Sequence, residues 1–167
     1  FHIKAPIFVA RQLVKHKFLR WNEISRRYVD DEPEFYVPDQ WRGRADDKKQ
    51  GSEGVVSISG ETMRVASKAS MWSVRNYRAL LNAGVAPEQA RMVLPQSTMT
   101  EWYWSGSLDA FADMCNLRLK DDTQGETRRI AHQISQVMLD LFPNSWQALL
   151  TSRPLSVSIE KYGDDNE

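Results

Sequence analysis

The 167-residue chain has the length of one domain, and 41% hydrophobic and 10% aromatic residues are enough to build a core. Its 22 basic and 22 acidic residues give a formal net charge of zero, which argues against a nucleic-acid coat and a polybasic membrane anchor. The single cysteine excludes an internal disulfide framework and is typical of a reducing compartment. No apolar run approaches a membrane span, so we expect a soluble, cytoplasmic protein.

The first third of the chain predicts a strand, a helix and a long surface segment. Residues 1–9 alternate between apolar and polar types, which predicts a strand already in progress and hence a missing upstream segment. Pro6 suits the first turn of a helix that runs from residue 7 to about residue 18. We expect an irregular turn over 19–28 and a surface loop or insertion over 30–54.

The rest of the chain predicts helices around one further strand. A helix over 61–82 ends before Gly84, a residue suited to a C-terminal cap, and a short helical turn begins at Pro87. Residues 98–105 favour a strand, and Ser107 suits the N-cap of the next helix. A last helix over 124–142 aligns four apolar residues on one stripe, namely Ile130, Ile134, Val137 and Leu141. We expect residues 161–167 to be a disordered tail.

Residues 11–28 form a basic cluster in an otherwise neutral chain. Its six cations, with Glu23 as the one acid, are Arg11, Lys15, Lys17, Arg20, Arg26 and Arg27. Gln12 and His16 lie among them and can form directional hydrogen bonds to a heterocycle or a sugar. A solvated helix face is the simpler interpretation, but the mixture favours a compact anionic ligand such as a nucleotide phosphate.

Two further arginines lie in apolar stretches of sequence. Arg91 is followed by Met-Val-Leu, and Arg118 lies between two leucines. A buried cation needs a partner, since an unpaired buried charge is very costly. A structural salt bridge with an acid and a shared anionic ligand are about equally good explanations.

Other chemistries find little support in the sequence. The three histidines lack metal-ligand spacing, so we expect no metal site. Cys115 shares a helical stripe with Phe111, which predicts a packing role. The chain has no glycine-rich phosphate loop and no nucleophile elbow, so Ser25 is expected to position a ligand rather than attack one.

Several motifs together resemble the flavin-dependent thymidylate synthases. That family carries Arg-His-Arg, seven residues and then Ser; here Lys15-His16-Lys17 is followed at the same spacing by Ser25, with lysines in place of both arginines. Further matching stretches, spread over residues 1–150, are Ala5–Gln12, Asn22–Tyr28, Phe35–Pro38 with Trp41-Arg42, Ala90–Pro95, Asn116–Arg118, Gln124 and Glu126.

The resemblance implies a fold, a reaction and an assembly. The fold would be a mixed α+β domain with long helices packed on an antiparallel sheet, here one N-terminally incomplete domain over 1–167. The reaction would methylate dUMP to dTMP, with methylenetetrahydrofolate as carbon donor and NADPH-reduced FAD as hydride source. The assembly would be a homotetramer with active sites shared between subunits, without nucleic-acid or membrane partners.

The resemblance also implies roles for individual residues. Arg118 would be the catalytic residue, because its cation favours the ionised uracil ring. The dUMP site would be lined by Gln12, Glu23, Ser25, Arg26, Arg27, Arg91 and Arg118. The FAD site would be lined by Lys15, His16, Lys17, Glu23, Ser107 and Asp113. Ser107, Asp109 and Asp113 replace family Asn and Arg residues, and we expect an acid at 109 to repel an FAD phosphate.

Two other functions stay open at the level of sequence. A nucleotide-binding homologue could keep the dUMP pocket, or take another nucleotide, without flavin chemistry. A single-stranded nucleic-acid module could use the basic cluster and Trp21, although the zero net charge argues against it.

Overall fold

A three-stranded antiparallel sheet, ordered β1-β5-β2, lies at the centre of the computed structural model, which describes residues 1–25, 32–45 and 52–150. The strands are β1 (His2–Pro6), β2 (Arg20–Glu23) and β5 (Met99–Ser105). In β5, Trp102 and Trp104 are buried, while Tyr103 between them is exposed, as the two-residue period of a strand requires. The predicted strand at the start of the chain is confirmed over His2–Pro6, and the one predicted over 98–105 is confirmed as Met99–Ser105.

Six α-helices and a second, two-stranded antiparallel sheet complete the described fold. The sheet pairs β3 (Arg42–Arg44) with β4 (Ser52–Val55). The helices are α1 (Ile7–Leu13), α2 (Gly60–Asn82), α3 (Pro87–Ala90), α4 (Leu108–Arg118), α5 (Gly125–Leu141) and α6 (Pro143–Leu149), with a 3₁₀ turn at Arg91–Val93. The predicted mixed α+β class, with helices packed on an antiparallel sheet, is confirmed.

The hydrophobic core lies between the sheet and four helices. α4, α5 and α6 pack against one another, and α1 packs against α5. Trp21 of β2 stacks on Trp102 with ring centroids 4.3 Å apart. Cys115 is completely buried in this core, and burial raises the pKa of its thiol to about 12, which confirms the expected packing role.

The region after the first strand differs from prediction. α1 ends at Leu13 rather than near residue 18, because Val14 and Phe18, the apolar residues that would continue it, are exposed and give it no buried face. Phe18 itself adopts φ of 64°, which is not helical. Residues 20–23 form a strand because the indole of Trp21 packs against the tryptophans of β5. The predicted irregular turn was therefore wrong here, and residues 26–28 lie outside the described residues.

The predicted surface loop over 30–54 contains regular structure. β3 and β4 form within it, and Phe35 bridges to Thr98. Gly43 marks a register shift between these strands, and a Cβ there would lie 2.7 Å from the Glu53 carbonyl oxygen. Residues 30, 31 and 46–51 lie outside the described residues.

The helix predicted over 124–142 has the predicted length, as α5, but a different buried face, and α6 follows it where no helix was predicted. α5 buries Ile130 and Ile134, but Val137 and Leu141 expose 43% and 64% of their surface. Met138 takes the buried position, because the residue four places after Ile134 lies above it on a helix. Pro143 begins α6, where a proline at the first helical position loses no hydrogen bond. The predicted tail, 161–167, lies outside the described residues.

The long helix α2 confirms the prediction in extent, and Gly84 caps its end with φ of 83°. Tyr77 is buried, but other apolar side chains of α2 are exposed, including Met63, Val65, Met71 and Trp72. This helix therefore presents apolar surface to its surroundings.

Candidate functional site

Three sequence-predicted site residues converge at the end of α4. The Arg118 guanidinium donates from Nε to Nε2 of His16 over 2.9 Å and from Nη2 to the main-chain oxygen of Gln12 over 2.8 Å. Gln12 lies on α1 and His16 in the loop that follows it, about one hundred residues away from Arg118 in the chain. The fold thus brings His16, from the basic cluster, into contact with Arg118, one of the two arginines that lie in apolar stretches of sequence.

His16 is neutral in this arrangement. Burial, reinforced by the neighbouring Arg118 cation, lowers its pKa to about 4, although the Asp113 carboxylate acts in the opposite direction. Since Nε2 accepts the Arg118 hydrogen bond, the imidazole proton lies on Nδ1. Burial also lowers the pKa of Arg118, yet a guanidinium stays charged at any physiological pH.

The side-chain amide of Gln12 is held by the start of α5. Its Nε2 donates to Oε1 of Gln124 over 2.6 Å and to the Phe8 carbonyl over 3.3 Å. Its Oε1 accepts a hydrogen bond of 3.2 Å from the hydroxyl of Thr127, which is completely buried. Both ends of the amide are therefore fixed by protein groups.

A cavity of about 770 Å³ lies on the other side of Gln124. Aromatic and apolar side chains form most of its wall, among them Phe8, Phe35, Tyr36 and Trp41. A part-buried ion pair joins Arg42 Nη2 to Glu126 Oε2 over 2.6 Å, and the Tyr36 hydroxyl donates to the other Glu126 oxygen over 3.4 Å. The size and lining suit a small organic ligand.

The charges in this wall are stabilised by their neighbours. Burial alone would raise the pKa of Glu126, but its backbone N–H and Arg42 hold that pKa below its usual value. Burial and the Glu126 carboxylate raise the pKa of the Tyr36 hydroxyl. The wall therefore carries an ionised Glu126 and a neutral Tyr36 at neutral pH.

The residues implied in flavin binding lie along one edge. Lys15 and Lys17 are exposed in the loop that holds His16. Gly106, next to Ser107, packs so closely on Leu19 and the Phe18 carbonyl that a Cβ could not fit without a shift. The start of α4 therefore lies beside the lysine loop, and Asp113 on α4 is near enough to His16 to influence its pKa.

The N-cap prediction for Ser107 holds only in part. Ser107 is the N-cap of α4, but its side chain makes no capping hydrogen bond to the helix backbone. Instead, hydrogen bonds from the Ser107 side chain and from the Ala110 backbone lower the pKa of the exposed Asp109 carboxyl. A negative charge therefore lies at this edge, as the sequence led us to expect.

The basic cluster is more open than its sequence indicated. Its described cations, Arg11, Lys15, Lys17 and Arg20, are all exposed. Glu23 does not pair with these cations; its carboxylate accepts from Thr100 over 2.6 Å and from Trp21 over 3.2 Å. Ser25 is half-buried after β2, and Arg26 and Arg27 lie outside the described residues.

Arg91 corrects a second expectation. It is exposed rather than buried, because it lies on the short 3₁₀ turn, and its Nε donates to the Glu88 carbonyl over 3.1 Å. Among the described residues, no contact joins Arg91 to Arg118. For Arg118, the salt bridge that was one of the two explanations is absent from the described part of the chain, since its partners there are a neutral imidazole and a carbonyl.

Sequence reasoning missed Thr127, although a signal was present. Thr127 lies four residues before Ala131 and seven before Ile134, so a polar side chain occupies the buried stripe of α5. A buried hydroxyl needs a partner, and Gln12 provides it.

Two other kinds of site find no support in the described ranges. No group of three or more potential ligands is placed to hold a metal ion. None of the helices described is both long enough and apolar enough to cross a bilayer.

Several known proteins are similar to this chain in sequence. A family model described as thymidylate synthase complementing protein matches residues 1–144. A flavin-dependent thymidylate synthase from Thermus thermophilus is 42% identical over 148 residues, covering 89% of this chain and 54% of the relative. That of Thermosipho africanus is 35% identical over 152 residues, covering 90% of this chain and 67% of the relative.

A solved structure has a similar fold. It is the UMP/dUMP methylase PolB from Streptomyces cacaoi bound with 5-Br UMP, with a TM-score of 0.79, 29% identity and coverage of 89% of this chain and 72% of that one. The chain spans about half the length of its Thermus relative. The matched motifs, the fold and these relatives together show that the chain belongs to the flavin-dependent thymidylate synthase family.

Proposed function

We propose that this protein is a flavin-dependent thymidylate synthase that methylates dUMP to dTMP. Methylenetetrahydrofolate would donate the carbon, and NADPH would reduce an FAD cofactor. The observation that carries the proposal is the junction of Arg118, His16 and Gln12, which builds a part-buried cationic site from the family's motifs. Family membership supports the same reaction class.

Arg118 is the catalytic residue of this proposal. Two of its N–H groups are used by His16 and Gln12, and no other described residue accepts its remaining donors. Those donors can face a uracil ring and stabilise the negative charge that develops when N3 loses its proton. A fixed cation aimed at developing charge is usually the largest single catalytic contribution. The ionised ring is electron-rich at C5, the atom that attacks the methylene carbon.

The remaining substrate contacts follow from charge and hydrogen-bonding capacity. Arg91 is exposed, and among the described residues it makes one hydrogen bond, from Nε to the Glu88 carbonyl, which leaves its fork for a phosphate. Ser25 positions the nucleotide. The full dUMP set proposed is Gln12, Glu23, Ser25, Arg26, Arg27, Arg91 and Arg118. Cys115 takes no part, because its thiol is buried and protonated at neutral pH.

We assign the FAD cofactor to the edge beside α4, where the ionised Asp109 carboxylate opposes binding of its phosphates. Lys15 and Lys17 offer two exposed cations for its pyrophosphate, and the neutral His16 lies between them and Arg118. The full FAD set proposed is Lys15, His16, Lys17, Glu23, Ser107 and Asp113. When bound, the flavin would supply the hydride that completes the methyl group. The chain's own residues would hold it against the pyrimidine and exclude water.

We further propose that residues 1–167 belong to one domain, and that the protein assembles in the cytoplasm as a homotetramer with each active site shared between subunits. Among the described residues no hydrogen bond joins Arg91 to Arg118, which supports sharing, because a neighbouring copy could bring its Arg91 to the site. The exposed Met71 and Trp72 on α2 offer apolar surface for such contacts.

A visible absorbance spectrum followed by a turnover assay tests the proposal. The purified protein should be yellow, with a flavin band that bleaches when NADPH and dUMP are added. With methylenetetrahydrofolate present, tritium should be released from C5 of labelled dUMP. A colourless protein that dUMP nevertheless stabilises against heat would indicate a nucleotide-binding homologue without flavin chemistry. Nucleic-acid affinity that falls steeply with salt, without dUMP binding, would contradict the proposal.

A further inference from the structure

The amide of Gln12 is held in one orientation by atoms whose roles are unambiguous. The Phe8 carbonyl only accepts hydrogen bonds, so the Gln12 atom 3.3 Å from it is the nitrogen. The Gln124 atom 2.6 Å from that nitrogen must then be an oxygen. The Thr127 hydroxyl, 3.2 Å from the other end of the Gln12 amide, donates to Oε1. The network therefore fixes the orientation of both glutamines.

The same direction of hydrogen-bond donation extends from Gln12 through Gln124 to Glu126 in the cavity wall. With its oxygen facing Gln12, Gln124 directs its NH₂ group away, and a hydrogen bond from its side chain helps to lower the pKa of Glu126. Glu126 is in turn anchored by Arg42 over 2.6 Å. A flip of Gln124 would set two NH₂ groups against each other at Gln12 and remove a donor from Glu126.

This arrangement leaves Gln12 with a single role toward a ligand. Both N–H groups of Nε2 are used, by Phe8 and Gln124. Oε1 accepts one hydrogen bond from Thr127 and retains one free lone pair. Gln12 can therefore accept a hydrogen bond from a ligand but cannot donate one without breaking the network.

The proposed substrate offers few donors. At neutral pH the phosphate of dUMP acts mainly as an acceptor, and the N3 edge of the uracil faces Arg118 in the proposed site. The remaining donor of the nucleotide is the 3′-hydroxyl of the deoxyribose. We propose that Gln124 and Thr127 are positioning residues that fix the Gln12 amide as an acceptor for this sugar hydroxyl. The inference rests on the proposed function, because it takes dUMP as the ligand.

Calorimetric titration with two nucleotides tests the inference. The probes are dUMP and 2′,3′-dideoxyuridine 5′-monophosphate, which lacks only the 3′-hydroxyl. The unaltered protein should bind dUMP roughly five- to tenfold more tightly than the dideoxy nucleotide, the value of one hydrogen bond with a preorganised acceptor. Equal affinities would overturn the inference and leave the proposed function intact. If dUMP does not bind at all, both are wrong.

Variants of the network separate positioning from folding. Thr127→Val keeps the shape but removes the donor, and Gln124→Leu removes the acceptor; each should reduce the preference for dUMP to less than roughly twofold while affinity for the dideoxy nucleotide stays unchanged. Thr127→Ser keeps the hydroxyl and should keep the preference. Gln133→Leu, an exposed change on the same helix, is the matched control.

The measured quantity is the ratio of the affinities for dUMP and for the dideoxy nucleotide. A general loss of folding would lower both affinities alike and leave this ratio unchanged. If Gln124→Leu fails to fold, the isosteric Thr127→Val still decides the matter. A preference in Thr127→Val equal to that of the unaltered protein would overturn the positioning role.

Discussion

Arg118 and His16 share a hydrogen bond of 2.9 Å in which the cation donates to a neutral imidazole. A carboxylate in the same place would neutralise the guanidinium and weaken its field. The imidazole orients Arg118 without cancelling its charge, so the cation remains available to a ligand.

Replacement of Arg118 by Ala should abolish dTMP formation and leave the fold intact. The side chain is only part-buried and forms no ion pair with a described acid, so its loss removes catalytic charge rather than core packing. We expect turnover to fall by about 10²–10³ or more, measured as tritium release from dUMP. Arg128→Ala, in a surface ion pair, is the control. Normal turnover in Arg118→Ala would remove it from the catalytic role.

The depressed pKa of His16 predicts a pH dependence of stability. Between pH 6.5 and about 4, the unfolded chain binds a proton at His16 that the native protein does not bind. The free energy of unfolding should therefore fall as pH decreases through this window. His16 accounts for at most roughly 3 kcal/mol of this fall, and solvent screening of the part-exposed imidazole reduces that value.

His16→Gln isolates that contribution, because an amide oxygen can still accept from Arg118 but does not titrate. Urea unfolding at several pH values should give a shallower slope for His16→Gln than for the unaltered protein. Parallel slopes between pH 4 and 6.5 would show that His16 is not held neutral.

Arg91→Ala should weaken dUMP binding without changing stability. Arg91 is exposed and makes one described hydrogen bond, to the Glu88 carbonyl, so the unliganded fold loses little. Loss of a charged contact to phosphate should raise the dUMP dissociation constant about tenfold to a hundredfold. Titration calorimetry, with Arg64→Ala on the exposed face of α2 as control, measures the effect. An unchanged dissociation constant would exclude Arg91 from the phosphate site.

The sequence predicted the identity of the candidate site residues better than it predicted the contacts between them. Arg118, His16 and Gln12 were identified from residue types and from the family pattern, and they do converge. Their mutual hydrogen bonds could not be predicted, because they depend on how α4 packs beside α1. Arg91 was expected to be buried from its apolar neighbours, but a short 3₁₀ turn exposes it.

The local errors have the same physical origin. β2 forms because Trp21 meets Trp102 across the sheet, a contact that no local window contains. α1 stops early because Val14 and Phe18 are exposed and have no core to pack on. On α5, the prediction placed Val137 inward where Met138 is buried, since the two positions differ by only one residue in a 3.6-residue period.

The observed buried face of α5 predicts different losses of stability for substitutions at Ile134 and at Val137. Ile134→Ala should lower the free energy of unfolding by about 2–4 kcal/mol, because Ile134 is 2% exposed in the core and its truncation leaves a cavity. Val137→Ala, on the neighbouring exposed position, should cost less than about 1 kcal/mol. Urea denaturation of both variants measures the difference. Similar losses would mean that Val137 is covered, for instance by another subunit.

The ion pair in the cavity wall should contribute more than a surface pair. Arg42 and Glu126 expose 29% and 14% of their side chains, and the guanidinium packs against Gly125. Arg42→Met should lower the free energy of unfolding by about 1–3 kcal/mol, because Glu126 is left part-buried without its cation. Arg78→Met breaks a surface pair of 2.7 Å with Glu32 whose side chains expose 59% and 64%, and should change stability by less than about 1 kcal/mol.

The effect of Arg42→Met should also depend on pH, with the same sign as the His16 contribution but in a more acidic window. The folded pKa of Glu126 lies below its unfolded value of 4.5, so the pair stabilises the protein above that pH and loses its contribution as pH falls through the folded pKa. Urea midpoints of Arg42→Met and the unaltered protein should therefore differ at neutral pH and converge in acid. A difference that persists unchanged below the pKa of Glu126 would show that Arg42 stabilises the wall by packing alone, since a protonated carboxyl no longer attracts the cation.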